Sequence, residues 1–204
     1  MGFYSRVIFP LVCNAALNRP PVAAHRRELL ASATGEILEI GFGTGLNLPC
    51  YPSHVRKITA IDPNVGMHRK VQSLIEQTGL DVDKLVLGSE ELPFDSGAFD
   101  CVVSTFTLCS ISEVQRALAE IYRVLKPGGR FLLLEHGLSS DAHISKWQRR
   151  LNGLERLFAD NCHLDRNIKQ LVSEQPFQSI EIEEFYLEKI PKTHGYLYRG
   201  VGIK

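Results

Sequence analysis

The sequence lacks an apolar run long enough to cross a membrane, and it lacks an excess of charge of either sign. The nearest candidate, Val7 to Leu17, is interrupted by Pro10 and Asn14, and a membrane span needs ~18 apolar residues. Lysine plus arginine number 23, as do aspartate plus glutamate. A chain without net charge lacks the electrostatic footprint expected of a protein that neutralises nucleic-acid phosphates. We therefore expect neither a transmembrane span nor a nucleic-acid partner.

The chain also lacks paired cysteines. No CxxC pair occurs, and no histidine spacing completes a zinc site; the five scattered cysteines are Cys13, Cys50, Cys101, Cys109 and Cys162. An odd, scattered set argues against a disulfide framework and for a reducing compartment, which we expect to be the cytoplasm. We expect no metal site, and we expect most of these cysteines to be small buried hydrophobic residues.

Length and composition indicate one globular domain. The chain has 204 residues, of which 44% are hydrophobic and 23% are charged, which are ordinary globular values. We predict a single domain over residues 1–204. It would comprise an N-terminal helical segment at 1–33, a ligand-binding core at 34–137, and C-terminal helices with two last strands at 138–204.

Five short apolar runs predict strands, at residues 36–40, 57–62, 84–87, 100–104 and 130–135. They are apolar throughout rather than alternating, which is typical of strands buried on both faces. Helical patterns occupy residues 65–78 and 112–125 between them. Two further helices, at 141–159 and 165–175, precede two more strands at 179–187 and 195–202. This alternation predicts an α/β fold with a mostly parallel sheet, helices on both faces and an N-terminal helical extension.

A glycine-rich loop, Glu39-Ile40-Gly41-Phe42-Gly43-Thr44-Gly45, ends the first predicted strand. Glycines at such a position allow a tight turn and let a ligand approach the backbone closely. Asp62 ends the second strand, 21 positions after Gly41, where a carboxylate can accept hydrogen bonds from ribose hydroxyls. The loop and the carboxylate together predict a ligand that contains a nucleoside.

Two residues distinguish between nucleoside ligands. The dinucleotide fingerprint GxGxxG would place a glycine where this chain has Leu46, which disfavours an oxidoreductase. Glu39 would repel a pyrophosphate but attract ammonium and sulfonium groups, since opposite charges ~4 Å apart gain roughly 4 kcal/mol at intermediate dielectric. The ligand that combines a ribose with these cations is S-adenosylmethionine. A nucleotide-dependent oxidoreductase and a non-catalytic cofactor-binding module are the alternatives.

Further motifs extend over most of the chain. They are Phe3-Tyr4, Pro10, Gly45-Leu46-Asn47-Leu48-Pro49, Tyr51-Pro52, Ile61-Asp62-Pro63-Asn64, Leu108-Cys109-Ser110, Leu125-Lys126-Pro127-Gly128-Gly129, Glu135-His136, Asn161-Cys162-His163-Leu164 and Gly195-Tyr196. With the glycine loop, they resemble the class I S-adenosylmethionine-dependent methyltransferases. Within that superfamily the chain is similar to small bacterial phospholipid or ubiquinone-type methyltransferases, and to methyltransferase-like enzymes that methylate alkyl thiols. The resemblance implies a Rossmann-like fold with a seven-stranded sheet, and S-adenosylhomocysteine as the product.

The resemblance also implies residue roles. The residues implied to bind the methionine part of the cofactor are Glu39, Gly41, Gly43, Gly45, Asn47 and Thr105. Those implied to bind the ribose and the adenine are Asp62, Pro63, Met67, Ser89 and Glu90. Many relatives carry an aspartate where this chain has Gly88, so adenine contacts would come from backbone groups or from Glu90.

The acceptor is expected to be a small molecule bound at the carboxyl ends of the fourth and fifth strands. His136 and His163 are the candidate general bases, since histidine titrates near neutral pH; a structural role for each is the alternative. We expect a thiol acceptor because the segments 135–136 and 161–163 resemble the thiol enzymes. N- or O-methylation of a lipid headgroup or a quinone precursor is the alternative.

The N-terminal segment carries more apolar surface than a free tail would expose: Phe3, Tyr4, Val7, Ile8, Phe9, Leu11, Val12 and Leu17. We expect a helical lid that excludes water from the acceptor. The alternative is a peripheral membrane contact. Only Arg6 and Arg19 supply flanking positive charge, which is little attraction for anionic lipid.

Overall fold

The computed structural model describes residues 4–68 and 71–204, without the side chains of Arg6, Met67 and His68. A π-helix (Tyr4–Ile8) leads into the helices α1 (Phe9–Leu17), α2 (Pro20–Leu30), α3 (Val65–His68), α4 (Gln72–Thr78), α5 (Val114–Val124), α6 (Ala142–Phe158) and α7 (Ile168–Ser173), with a 3-10 turn at Leu48–Cys50. The strands are β1 (Ile37–Ile40), β2 (Lys57–Ile61), β3 (Asp81–Leu85), β4 (Phe99–Thr105), β5 (Leu125–His136), β6 (Ser179–Tyr186) and β7 (Tyr196–Ile203).

All seven strands form one sheet in the order β3-β2-β1-β4-β5-β7-β6. The first five strands are parallel, while β7 runs antiparallel to both of its neighbours. The strand order reverses direction between β1 and β4, and in open sheets of this kind ligands bind outside the carboxyl ends of the strands at that point. The predicted Rossmann-like, mostly parallel seven-stranded sheet is therefore confirmed.

The central strands are buried because helices cover both faces of the sheet. Successive side chains of a strand point to opposite faces. Val103 and Leu134 accordingly pack in a cluster that includes Leu29 of α2, while Val102 and Leu133 pack in a second cluster with residues of α5. Two apolar layers on one rigid sheet fix the carboxyl ends of β1, β4 and β5 relative to one another.

Several predicted boundaries differ from the structure. The third strand begins at Asp81 rather than residue 84, because β3 is an edge strand whose polar residues face solvent. The helix predicted over 65–78 is represented by α3 and α4, with residues 69 and 70 outside the description. β5 begins at Leu125, which pairs with Phe99, whereas Arg130 pairs with Cys101. Residues 126–129 therefore bulge out of the ladder.

The N-terminal helices leave apolar side chains exposed. Leu11 and Val12 of α1 are each about half exposed, and Leu157 and Phe158 at the end of α6 are more exposed still. Across the described residues, the helices do not combine the length and hydropathy that a bilayer span requires. Four of the five cysteines are buried, as expected, and Cys13 is half-buried.

A buried leucine and an exposed leucine together test which packing stabilises the fold. Leu133 is fully buried and Leu157 is 71% exposed. Leu133→Ala should lower the free energy of unfolding by about 2–5 kcal/mol, because it leaves a cavity in the core. Leu157→Ala should change it by no more than about 0.5 kcal/mol. Chemical denaturation measures both, and equal losses would contradict the packing described here.

Candidate active site

A cavity of about 370 Å³ opens at the carboxyl ends of β1, β2 and β4, within the range of about 300–1,000 Å³ typical of small-molecule sites. The predicted cofactor-binding residues that line it are Glu39, Gly41, Gly43, Asn47, Asp62, Pro63, Ser89, Glu90 and Thr105. Gly45 is not part of the lining, and the side chain of Met67 lies outside the described part of the chain. The fold thus brings most of the predicted cofactor residues to one place.

The glycine loop adopts backbone angles that are unfavourable for residues with a side chain. Gly41 and Gly43 have φ values of +69° and +57°, which favour glycine. A Cβ atom at Gly41 would collide with the side chain of Thr107, whereas a Cβ at Gly43 would meet no atom closer than the Gly41 carbonyl oxygen at 3.8 Å. Gly41 therefore permits close packing on the segment after β4, and Gly43 faces open space in the cavity wall.

Glu39 at the end of β1 is only 1% exposed. Its Oε1 accepts a hydrogen bond from Asn47 Nδ2 at 3.0 Å, and its Oε2 accepts one from the Tyr51 hydroxyl at 2.6 Å. Burial raises the pKa of Glu39 to about 7, although these two hydrogen bonds and the charge of Arg26 oppose the rise. The carboxyl group is thus held in a fixed position with its charge poised near neutral pH.

Arg26 of α2 is a further lining residue that the predicted site does not include. Its Nη1 donates to Asn47 Oδ1 at 2.6 Å and to Thr105 Oγ1 at 2.7 Å, and its Nε has no hydrogen-bond partner among the described residues. Burial lowers the pKa of Arg26, while the charge of Glu39 opposes this shift. The signal in the sequence is an arginine on the same helical face as the buried Val22 and Leu29.

Asp62 braces the glycine loop from the end of β2. Its Oδ2 accepts a hydrogen bond from the Gly43 backbone N–H at 2.8 Å, and its Oδ1 accepts one from the Asn64 N–H at 2.8 Å. A carboxylate offers about four lone-pair positions and can therefore accept several hydrogen bonds at once. Asp62 is therefore fixed next to Gly43, the loop glycine that faces open space.

The N-terminal helices contribute to the lining through Phe9, Cys13 and Leu17. Thr44 Oγ1 donates to Asn14 Oδ1 at 3.2 Å, which joins α1 to the glycine loop. Further contacts join this segment to the rest of the cavity rim: Ser5 Oγ to Asp160 Oδ1 at 3.0 Å, Asn64 Nδ2 to the Ser5 carbonyl at 2.7 Å, and the Tyr4 hydroxyl to the Phe158 carbonyl at 2.6 Å. The segment thus covers one side of the cavity.

The two candidate bases do not line the cavity. His136 Nε2 lies 2.8 Å from Cys162 Sγ. Burial acts to lower the pKa of His136, but the charge of Cys109, a hydrogen bond with Cys109 and the charges of Glu135 and Glu155 together raise it. His163 Nδ1 lies 3.8 Å from Asp165 Oδ1, and burial lowers its pKa.

Cys109, His136 and Cys162 form a cluster beside the cavity, which we call the Cys-His-Cys cluster. Their ligand atoms all lie within 4.8 Å of one another, and a hydrogen bond from Cys162 holds the pKa of the Cys109 thiol well below its usual range. Ser110 and Asn161, which adjoin the two cysteines in sequence, line the cavity. No local spacing motif reveals this cluster, because its members come from three separate segments.

Comparison with known proteins agrees with this geometry. The family described as "Methyltransferase domain" matches residues 38–133. The chain is 31% identical over 192 residues to thiol S-methyltransferase TMT1A of Homo sapiens, which covers 88% of this chain and 76% of that protein. It is 29% identical over 149 residues to phosphatidylethanolamine N-methyltransferase of Cereibacter sphaeroides, which covers 72% of each.

Solved structures show the same fold. A SAM-dependent methyltransferase of Thermotoga maritima aligns with a TM-score of 0.69 over 98% of both chains, at 19% identity. The sheet order, the glycine loop and the extent of the sequence similarity support one assignment. This chain belongs to the S-adenosylmethionine-dependent methyltransferases, and S-adenosylmethionine is its cofactor.

Proposed function

We propose that this methyltransferase acts on a small thiol and forms a thioether and S-adenosylhomocysteine. S-adenosylmethionine, when bound, supplies a methyl group on a sulfonium centre that needs no further activation. Because the electrophile is already activated, the protein contributes mainly by holding the two reactants in line.

One observation carries the choice of a thiol: among the described residues, the cavity lining contains no histidine and no lysine, and both oxygens of its buried carboxyl group Glu39 already accept hydrogen bonds from Asn47 and Tyr51. A thiol has a pKa of about 8.5 and ionises near neutral pH with little help, whereas a phenol or an alkylammonium group has a pKa of about 10. The acceptor that needs the weakest base is therefore favoured. The similarity to a protein named as a thiol S-methyltransferase, over 88% of this chain, supports the same choice.

The charges of the lining suit the methionine part of the cofactor. Glu39 would attract its ammonium group, and the buried guanidinium of Arg26, with its unpartnered Nε, would attract its carboxylate. Gly43 leaves room beside the backbone, and Asn47 and Thr105 hold the two charges apart. We assign Gly45 to the turn rather than to the ligand.

The nucleoside part would bind further along the same wall. Asp62 would accept hydrogen bonds from the ribose hydroxyls, and Pro63 with Met67 would flank the adenine. Ser89 and Glu90 would lie next to the adenine amine, since both line the cavity where the chain passes Gly88.

The remaining lining residues would bind the acceptor. Apolar side chains of this group, Phe9, Leu17, Phe106 and Ile111, would exclude water from the reacting sulfur. Exclusion of water strengthens the electrostatic interactions inside the site and suppresses side reactions. We assign no proton transfer to His136 or His163, because neither lines the cavity.

A lipid headgroup amine is the second candidate acceptor. Asp160 lines the cavity, and a carboxylate there would attract an ammonium group. The similarity to a phosphatidylethanolamine N-methyltransferase points in the same direction.

Product analysis with a panel of acceptors tests the proposal. Mass spectrometry should detect a methylated thioether from an alkyl thiol, and Asp160→Asn should keep that turnover within about threefold, because a thiolate makes no use of an anionic partner. If methylated phosphatidylethanolamine is the sole product and its formation is lost in Asp160→Asn, the acceptor is the headgroup amine and not a thiol.

The glycine loop offers a matched pair of substitutions. Gly43 and Gly79 both have positive φ and open space at the Cβ position, but only Gly43 lines the cavity. Gly43→Val should abolish binding of S-adenosylhomocysteine in calorimetry, whereas Gly79→Val, which has similar backbone strain, should bind it as the wild type does. Retained binding in Gly43→Val would mean that the loop serves the turn alone.

Cofactor affinity should depend on pH through Glu39. With a pKa of about 7, its carboxyl is mostly protonated at pH 6 and mostly ionised at pH 7.5, so affinity for S-adenosylhomocysteine should rise about eightfold across that interval. Glu39→Gln should bind weakly and with little pH dependence. A wild-type affinity that is constant over this interval would show that Glu39 does not contact the ammonium group.

Deletion of residues 1–18 tests the lid. The truncated protein should keep its affinity for S-adenosylhomocysteine within about threefold but lose at least about tenfold in turnover, because the acceptor side would open to water. Sedimentation with phospholipid vesicles is measured in parallel. If the truncated protein keeps full activity but no longer sediments with the vesicles, the segment is a membrane anchor and not a lid.

A further inference from the structure

The Cys-His-Cys cluster has no role in the methyl transfer described above. We propose that it is a Zn²⁺ site, with Cys109 Sγ, His136 Nε2 and Cys162 Sγ as protein ligands and a fourth coordination position left for an exogenous ligand. The proposal does not depend on which acceptor the enzyme methylates.

The spacing of the ligand atoms suits a single small ion. All three lie within 4.8 Å of one another, and zinc binds sulfur at about 2.3 Å and imidazole nitrogen at about 2.0–2.1 Å. The His136 Nε2 to Cys162 Sγ distance is 2.8 Å. A tetrahedral ion between the two atoms would widen that distance to about 3.6 Å, a movement of less than one ångström that side-chain rotation can supply.

The ligand types favour zinc over harder cations. Thiolates and an imidazole are soft or borderline ligands that select ions such as Zn²⁺, whereas Mg²⁺ and Ca²⁺ prefer oxygen. Cys109 and Cys162 are both buried, and two buried thiolates without a cation would be costly. One Zn²⁺ balances both charges. Three protein ligands are the number found in zinc sites that keep an open position.

The backbone at each cysteine is already held in place. The Cys109 carbonyl accepts a hydrogen bond from the His163 N–H at 2.9 Å, and the Cys162 N–H donates to the Ala159 carbonyl at 3.0 Å. The side chain of Asn161 donates to the Ser110 carbonyl at 3.0 Å. The bonds from His163 and Asn161 join the segment after β4 to the segment after α6, and the bond to Ala159 fixes the turn that carries Cys162. The ligands would therefore need little reorganisation to bind an ion.

The backbone at His136 is held in place by the hydrogen bonds of the preceding residue, Glu135. Glu135 is fully buried and accepts hydrogen bonds from Ser104 Oγ at 2.7 Å and from the Thr107 N–H. The end of β5 is thereby fixed to the segment that carries Cys109. The other buried cysteines, Cys50 and Cys101, belong to no such group of ligands among the described residues.

An ion in this position would also stabilise one wall of the cavity. Asp160 and Asn161 line it with positive φ values of 50° and 66°, which are uncommon for residues other than glycine. The adjacent Cys162 would tie this strained segment to β5 through the metal. The site would therefore shape the acceptor side without contacting the cofactor.

Metal content and spectroscopy test the proposal on the full-length protein kept reduced. After treatment with chelator and reconstitution with Zn²⁺, mass spectrometry of the metal should find about one Zn²⁺ per chain. Cys162→Ser should retain less than a tenth of that amount, and Cys13→Ser, the same substitution at a cysteine outside the cluster, should retain all of it. Co²⁺ in place of Zn²⁺ should give thiolate charge-transfer bands and the visible bands of a tetrahedral ion.

Two results would overturn the site. One is a reduced wild-type protein that takes up no stoichiometric Zn²⁺ and shows no Co²⁺–thiolate bands. The other is undiminished uptake in Cys162→Ser. If Cys162→Ser fails to fold, His136→Asn is the second variant. This variant should keep the thiolate bands but change the visible Co²⁺ spectrum, because one ligand is lost. An unchanged spectrum would show that His136 does not bind the ion.

Discussion

Two opposite charges buried at the end of β1 are the constraint on which the site depends. Glu39 is 1% exposed and Arg26 is 4% exposed, and a buried charge is costly unless it is paired and hydrogen-bonded. Asn47 connects them, since its amide nitrogen donates to Glu39 and its oxygen accepts from Arg26. Thr105 accepts from both Arg26 and Asn47. This network fixes α2, the glycine loop and the end of β4 around one cavity.

The two halves of the cavity have different origins in the chain. Except for Arg26, the residues that the proposal assigns to the cofactor lie in the segment that matches the methyltransferase family, residues 38–133. Of the residues that the proposal places on the acceptor half, Phe106 and Ile111 lie inside that segment, whereas Phe9, Leu17 and Asp160 lie outside it. Arg26 also lies outside it, so α2 completes the cofactor half from the N-terminal extension. In the proposed assignment, both the cofactor half and the acceptor half therefore need residues from outside the family-matching segment.

Local patterns were enough to predict the sheet and to name most of the residues that line one end of the cavity. The buried strands are continuous apolar runs, and the loop at 41–45 and Asp62 have a fixed spacing that follows from the strand-loop-strand geometry. β3 was harder to place because an edge strand is only half buried and lacks such a run. Arg26 and the Cys-His-Cys cluster could not be derived in this way, because their partners are far apart in sequence and meet only in the folded sheet.

The central claim is that Glu39 and Arg26 recognise the amino-acid end of the cofactor. Calorimetry with S-adenosylhomocysteine and with 5′-methylthioadenosine, which lacks that end, tests it most directly on the wild type and on Arg26→Gln. Arg26→Gln should weaken S-adenosylhomocysteine binding by about tenfold to a hundredfold, the value of one or two charged hydrogen bonds, while 5′-methylthioadenosine binding stays within about twofold. Equal weakening of both ligands would contradict the account and make the buried charges a structural brace alone.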